Sequence, residues 1–146
     1  MAREGKVSED KKGGDVRETK DKITKALIMD SSGLFHIRNA YAITETASMG
    51  YRLVTTSLVV NEVKDARSQA LLGILNMEVI DIDADRIKQV KLENPGLSDA
   101  DASIVALALD LASQGIEVAV VTDDVGLIRV LRRRIRGIRI ITVNVR

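Results

Sequence analysis

Apolar runs and turn residues alternate along the chain from Ala26 onward. ALIMD, residues 26–30, is a short apolar run closing on an acid, the signature of a strand buried on both faces. Ser31, Ser32 and Gly33 predict a turn, and the residues up to about Ala47 a helix. Gly50 punctuates the chain before YRLVT, a second strand. Thr56 or Ser57 then predicts the cap of one helix carrying Leu58, Val59, Val63, Ala66, Ala70 and Leu71 at helical spacing. MEVIDI, beyond Gly73 and Asn76, is a third strand. Asp83 opens a helix to about Leu92, which Asn94-Pro95-Gly96 breaks. Ser98 starts the strongest helical pattern, DADASIVALALDLAS, stopped by Gly115. EVAVVT reads as a buried strand, DVGLIRVLRRR as a helix, Gly137 as a stop and IRIITV as a last strand. Five strands alternating with helices predict βαβ units and an α/β domain around a mainly parallel sheet.

The first 24 residues break this pattern. They mix both charge signs and offer almost nothing to bury, so they predict a flexible tail ahead of a domain spanning 25–146. Such a tail is either a solubilising extension or an arm that touches RNA or a partner. If it is ordered, the expectation is a docked helix through Arg17–Thr24.

Composition narrows the chemistry. A chain of 146 residues suits one domain, and 45% hydrophobic content is ordinary for it. Phe35, Tyr41 and Tyr51 are the only aromatics, so the core is aliphatic, and the scarcity argues against a module that stacks bases on aromatic platforms. Without cysteine there is no disulfide, thiol nucleophile or thiolate zinc site. With His36 as the sole histidine, any bound metal must be a hard cation on oxygen ligands, Mg²⁺ or Mn²⁺. No apolar run has membrane-spanning length, and the charged start has no signal-peptide pattern, so a cytoplasmic protein is expected.

Four acids then stand out. Asp30 ends the first strand, Glu62 lies in TTSLVVNEV, Asp101 in LSDADASIVALAL, and Asp124 in VAVVTDD. In open parallel sheets ligands bind beyond the carboxyl ends of the strands, where strand order reverses. Carboxylates crowded there raise one another's pKa, a conflict that a divalent cation resolves. Each acid also has a plainer reading. Asp30 could be a turn acid, and Asp123 an N-cap with Asp124 in the first helical turn. Asp101 completes a capping box with Ser98, and Glu62 could sit on an exposed face, with Asp65 a like-charge neighbour one turn on. Asp99 is expected to be exposed, with a secondary metal role open to it. Arg132, Arg133, Arg134 and Arg136 spread around a helix end, so some would meet phosphates while others cap the dipole. Lys64 and Arg67, placed near Glu62 on the same helix, are further phosphate candidates. His36 receives no catalytic role.

Taken together, ALIMDSS, TTSLVVNEVKDAR, LSDADASIVALALDL and VVTDD resemble the PIN-domain nucleases over about Ala26 to Val145. The last three phrases are nearest to those members that mature the 3′ end of small-subunit ribosomal RNA, although a cysteine-free chain has no zinc ribbon and Val125, Gly126 and Leu127 follow VVTDD here. The resemblance implies a three-layer α/β/α fold and metal-dependent hydrolysis of single-stranded RNA. It places the metal-binding, catalytic acids on Asp30, Glu62, Asp101 and Asp124, with Ser31, Ser32, Asp99, Thr122 and Asp123 supporting them. The partners it implies are ribosomal RNA or a pre-ribosomal particle. Toxins of toxin–antitoxin pairs share the four-acid pattern, which leaves open an antitoxin or a second copy of the chain as partner. A non-catalytic RNA-binding assembly protein is the other alternative. A phosphoacceptor signalling domain would want paired acids on the first strand and a lysine after the last, and this chain has neither.

Overall fold

The structure, a computed structural model, describes residues 24–32, 44–45 and 48–142. The expected tail, the helix expected between Gly33 and Ala47 and His36 lie outside the described residues, apart from Thr24 and short helical pieces at 31–32 and 44–45. Five strands form one sheet: β1 (Lys25–Met29), β2 (Arg52–Thr56), β3 (Glu78–Ile80), β4 (Glu117–Val121) and β5 (Arg139–Ile141). Every pairing is parallel, in the order β3-β2-β1-β4-β5. Helices flank both faces, giving the expected three-layer α/β/α arrangement. They are α1 (Ser57–Glu62), α2 (Ala66–Ile74), α3 (Ala84–Glu93), α4 (Asp99–Ser113) and α5 (Val125–Arg134).

The central strands are apolar on both faces because both faces are covered. Ala26, Leu27, Ile28 and Met29 of β1 and Val118 to Val121 of β4 are all buried. The edge strands β3 and β5 are three residues long and carry Glu78 and Arg139, which discourages further pairing. MEVIDI thus yields a shorter strand than its apolar pattern predicts. Helix α4 packs against β1, β2, β4, α1, α3 and α5, so residues 102–108 are buried around its whole circumference. Its alanines allow that close approach.

One predicted helix is in fact two. Val63 leaves α1 in an extended conformation, and Asp65 starts α2 by accepting the Ser68 N–H at 2.9 Å. Gln69 adds a side-chain bond to Val63 O. The like-charge pair of Glu62 and Asp65 within one helix therefore does not exist. Lys64 falls in the linker and Arg67 in α2, not on the helix of Glu62.

The chain builds outward from β1 through β2 to β3, then crosses back to β4 on the other side of β1. The order reverses between β1 and β4, which opens a crevice at their carboxyl ends. Met29 is paired with Val121, so the next residues of the two strands, Asp30 and Thr122, meet at that crevice. No helix among the described residues is long and apolar enough to cross a membrane.

Candidate active site

Asp30 follows β1 and continues its ladder by one bond, donating its N–H to Val121 O at 3.0 Å. The residue is only 5% exposed. Thr122, fully buried after β4, uses its hydroxyl twice. Oγ1 donates to Asp30 Oδ2 at 2.7 Å and accepts the Asp124 N–H at 3.1 Å. The Thr122 N–H is held by Ile141 O at 3.0 Å. One hydroxyl therefore ties the end of β1 to the start of α5. Ser32 Oγ adds a second tie, accepting the Asp123 N–H at 3.2 Å.

Asp124 is the N-cap of α5, its Oδ1 accepting the Leu127 N–H at 3.0 Å. The plainer alternative, with Asp123 as the cap and Asp124 in the first turn, is therefore not the one the structure adopts. The Thr122 and Ser32 hydroxyls hold the N–H groups of both acids, and the helix begins one residue later. Asp101, in the first turn of α4, forms the predicted capping box. Ser98 Oγ accepts the Asp101 N–H at 3.1 Å, and the Asp101 carboxylate is bonded in return by Ser98. Glu62 ends α1. That short helix is placed by two fully buried hydroxyls: Thr56, its N-cap, and Ser103 of α4 lie 2.7 Å apart. Thr55 Oγ1 donates to Met29 O at 2.7 Å beside them. Sequence reasoning missed this pair, although a hydroxyl inside each of two apolar runs was the signal.

The acids feel one another. Burial pushes the Asp30 carboxyl above its usual range; the Thr122 hydroxyl and Ser31 N–H pull it partly back, and the charges of Asp124 and Asp123 push it up again. Asp101 is pushed up to about 6, first by burial and then by the charges of Asp124 and Asp30. Glu62 stands at the exposed end of α1, as its plainer reading had it, and is raised by partial desolvation and then by Asp30. Asp30 is thus the hub whose charge raises both Glu62 and Asp101. Among the described residues no three acidic or histidine side chains stand, as they are, in an arrangement that holds a metal ion. The donor chemistry nevertheless fits Mg²⁺ or Mn²⁺: every donor is a carboxylate oxygen, and three of the four are raised, by burial first and by their acidic neighbours after it.

The supporting and basic residues divide. Asp99 is exposed and pairs with Lys91 at 2.6 Å. Arg133 donates to Asn94 Oδ1 at 2.8 Å and Arg134 pairs with Glu93 at 2.8 Å, so both fasten α5 to the end of α3. Arg132, Arg136, Lys64 and Arg67 are exposed. Two hollows border the region. The larger, about 630 Å³ between α1 and α3, reaches Asp99 but none of the four acids. The smaller, about 370 Å³, includes Asp101 and Asp124. Chemistry rather than volume locates the site.

Among characterised proteins, the chain is 34% identical over 119 residues to Ribonuclease VapC3 of Aeropyrum pernix, spanning 75% of this chain and 81% of that protein. It is 30% identical over 109 residues to Endoribonuclease Nob1 of Archaeoglobus fulgidus, spanning 70% of this chain and 60% of that protein. No protein-family model matches the chain, and no solved structure matches it significantly. On these relatives, and with a parallel sheet that gathers acids at its switch point, the chain belongs to the PIN-domain nucleases.

Proposed function

We propose that the chain is an endoribonuclease that hydrolyses single-stranded RNA with Mg²⁺ or Mn²⁺. Asp30, Asp101 and Asp124 would hold the ion, with Glu62 bound directly or through water. The observation that carries this is Asp30: a buried carboxylate raised by desolvation and by Asp124 and Asp123, whose own charge raises Glu62 and Asp101. When bound, the ion would polarise the scissile phosphate and lower the pKa of an attacking water. The protein's own groups orient the acids. Thr122 steers the Asp30 carboxylate, the α5 cap steers Asp124, and Ser98 steers Asp101. Exposed Lys64, Arg67, Arg132 and Arg136 would steer the polyanion.

The ribosomal reading takes the RNA to be the 3′ end of small-subunit ribosomal RNA, supported by the match to Endoribonuclease Nob1. The wider match to Ribonuclease VapC3 favours a second reading, a toxin ribonuclease with an antitoxin partner. The test is cleavage of end-labelled single-stranded RNA, with and without chelator, by the wild type and Asp30→Asn. Loss of cutting in both the chelated and the Asp30→Asn samples is expected. Undiminished cutting in either would overturn the proposal. A small-subunit 3′-end substrate run beside unrelated RNA separates the two targets.

A further inference from the structure

The arginines named from the sequence do not include the one that lines a hollow with the acids. The 370 Å³ hollow containing Asp101 and Asp124 has Arg129 of α5 in its wall, opposite the Asn94–Leu97 loop. Gly126, Arg129, Val130 and Arg133 recur at the spacing of one helix face. On that face Arg133 is committed to Asn94, whose Nδ2 is itself bonded to Val90 O at 3.1 Å. Glu93, also in the wall, is neutralised by Arg134. Among the described residues Arg129 enters no ion pair and no side-chain hydrogen bond. Gly126 leaves the hollow open beside it; a Cβ there would stand 3.3 Å from Asp124 Oδ1.

An uncommitted guanidinium in a hollow shared with two acids is poorly placed for a purely structural role and well placed for a phosphate. We propose that this hollow is a subsite for an RNA phosphate flanking the cut, and that Arg129 is its binding residue. The inference rests on the nuclease reading and extends it to how the strand is held. The neighbouring acids would repel a phosphate, so the guanidinium must supply the local counter-charge. Its planar fork can bond two phosphate oxygens at once. Anchored Arg133 and Arg134 keep α5 against the loop and so keep the hollow's width.

The test measures binding of a fluorescein-labelled single-stranded RNA by anisotropy at several KCl concentrations. The proteins are Asp30→Asn and its doubles with Arg129→Ala, Arg129→Lys and Arg52→Ala. Arg52 lies at the amino end of β2, the opposite end of the strands from the crevice, and controls for a lost charge anywhere. Arg129→Ala should weaken binding about 10-fold or more, as loss of a charge-assisted contact does, and reduce the slope of log affinity against log salt by about 0.7. Arg129→Lys should keep the slope, and Arg52→Ala should change neither. As a single change in the active protein, Arg129→Ala should raise KM while leaving kcat within a few-fold. An unchanged slope, an effect equal to that of Arg52→Ala, or a fall in kcat alone would overturn the subsite. The two readings fail separately. If the wild type cuts no RNA but the salt slope still depends on Arg129, the nuclease reading falls and the subsite stands. If Asp30→Asn abolishes cutting and Arg129 is inert, the reverse holds.

Discussion

The Thr122 hydroxyl does most to offset the rise that burial imposes on the Asp30 carboxyl. The bond from Thr122 Oγ1 is the first of the influences that pull the Asp30 carboxyl down against burial, and the same oxygen holds the Asp124 N–H. Thr122→Val should keep the shape but leave a buried carboxylate and a backbone donor short of partners. A hydrogen bond to a charged group contributes about 1.5–3 kcal/mol, so a stability loss of about 2 kcal/mol is expected in urea melts. Without that bond the Asp30 pKa climbs further. If the ionised form is the active one, the acid limb of the pH–rate profile must move to higher pH. Thr122→Ser keeps the hydroxyl and should preserve both stability and profile. A Thr122→Val protein with an unmoved acid limb would show that Asp30 ionisation does not govern the reaction.

At the scale of elements, Asp124 serves α5 as its cap and the site as an acid, and two substitutions separate these roles. Asn is as good an N-cap as Asp, so Asp124→Asn should melt at or above the wild-type temperature, relieved of repulsion with Asp30 and Asp101. Asp124→Ala loses the cap as well, at about 1 kcal/mol, or about 3 °C by calorimetry for a chain of this size. Both should lack nuclease activity. Full activity in Asp124→Asn would reduce the residue to a helix cap. The same contrast between local and distant causes decides what could be read from the sequence. The Ser98 box, the Asp83 cap and the glycine stops are set within four residues, and the structure keeps them. That Asp30 and Asp124 stand at the same end of the sheet was legible because parallel βαβ units bring every strand's carboxyl end to one edge. The break between α1 and α2 was not, because the apolar spacing runs unbroken from Leu58 to Leu71 while Asp65 restarts the backbone bonds beneath it. The Thr56–Ser103 pair joins residues 47 apart, and Arg133 and Arg134 find partners 39 and 41 residues away. No local pattern announces such contacts.

The whole molecule carries the acids as a linked stability term of definite sign. Asp30, Glu62 and Asp101 all have folded pKa values raised above those of the unfolded chain. Between about pH 4 and pH 6, the window set by Asp101, the folded protein therefore binds more protons than the unfolded chain, and stability falls as pH rises. An acid raised from 3.8 to about 6 would alone cost about 3 kcal/mol at neutral pH, but Asp101 is only partly buried and screening reduces this to about 1 kcal/mol. Asp65 acts in the opposite sense: its cap contacts lower its pKa, so its contribution is lost below about pH 4. The metal-free protein should accordingly melt about 2 °C higher at pH 5 than at pH 7.5, and Asp30→Asn should flatten the difference. A cation that binds the ionised acids must reverse the trend. Mn²⁺ at about 100 times its dissociation constant adds about 2.7 kcal/mol, so the melting temperature at pH 7.5 should rise by several degrees and return on chelation. At pH 5, with Asp101 largely protonated, the same Mn²⁺ should do little, and in Asp30→Asn nothing at either pH. An Mn²⁺ shift of equal size at pH 5 and pH 7.5 would mean that the ion binds elsewhere, and that the acids at the switch point repel one another without serving a metal.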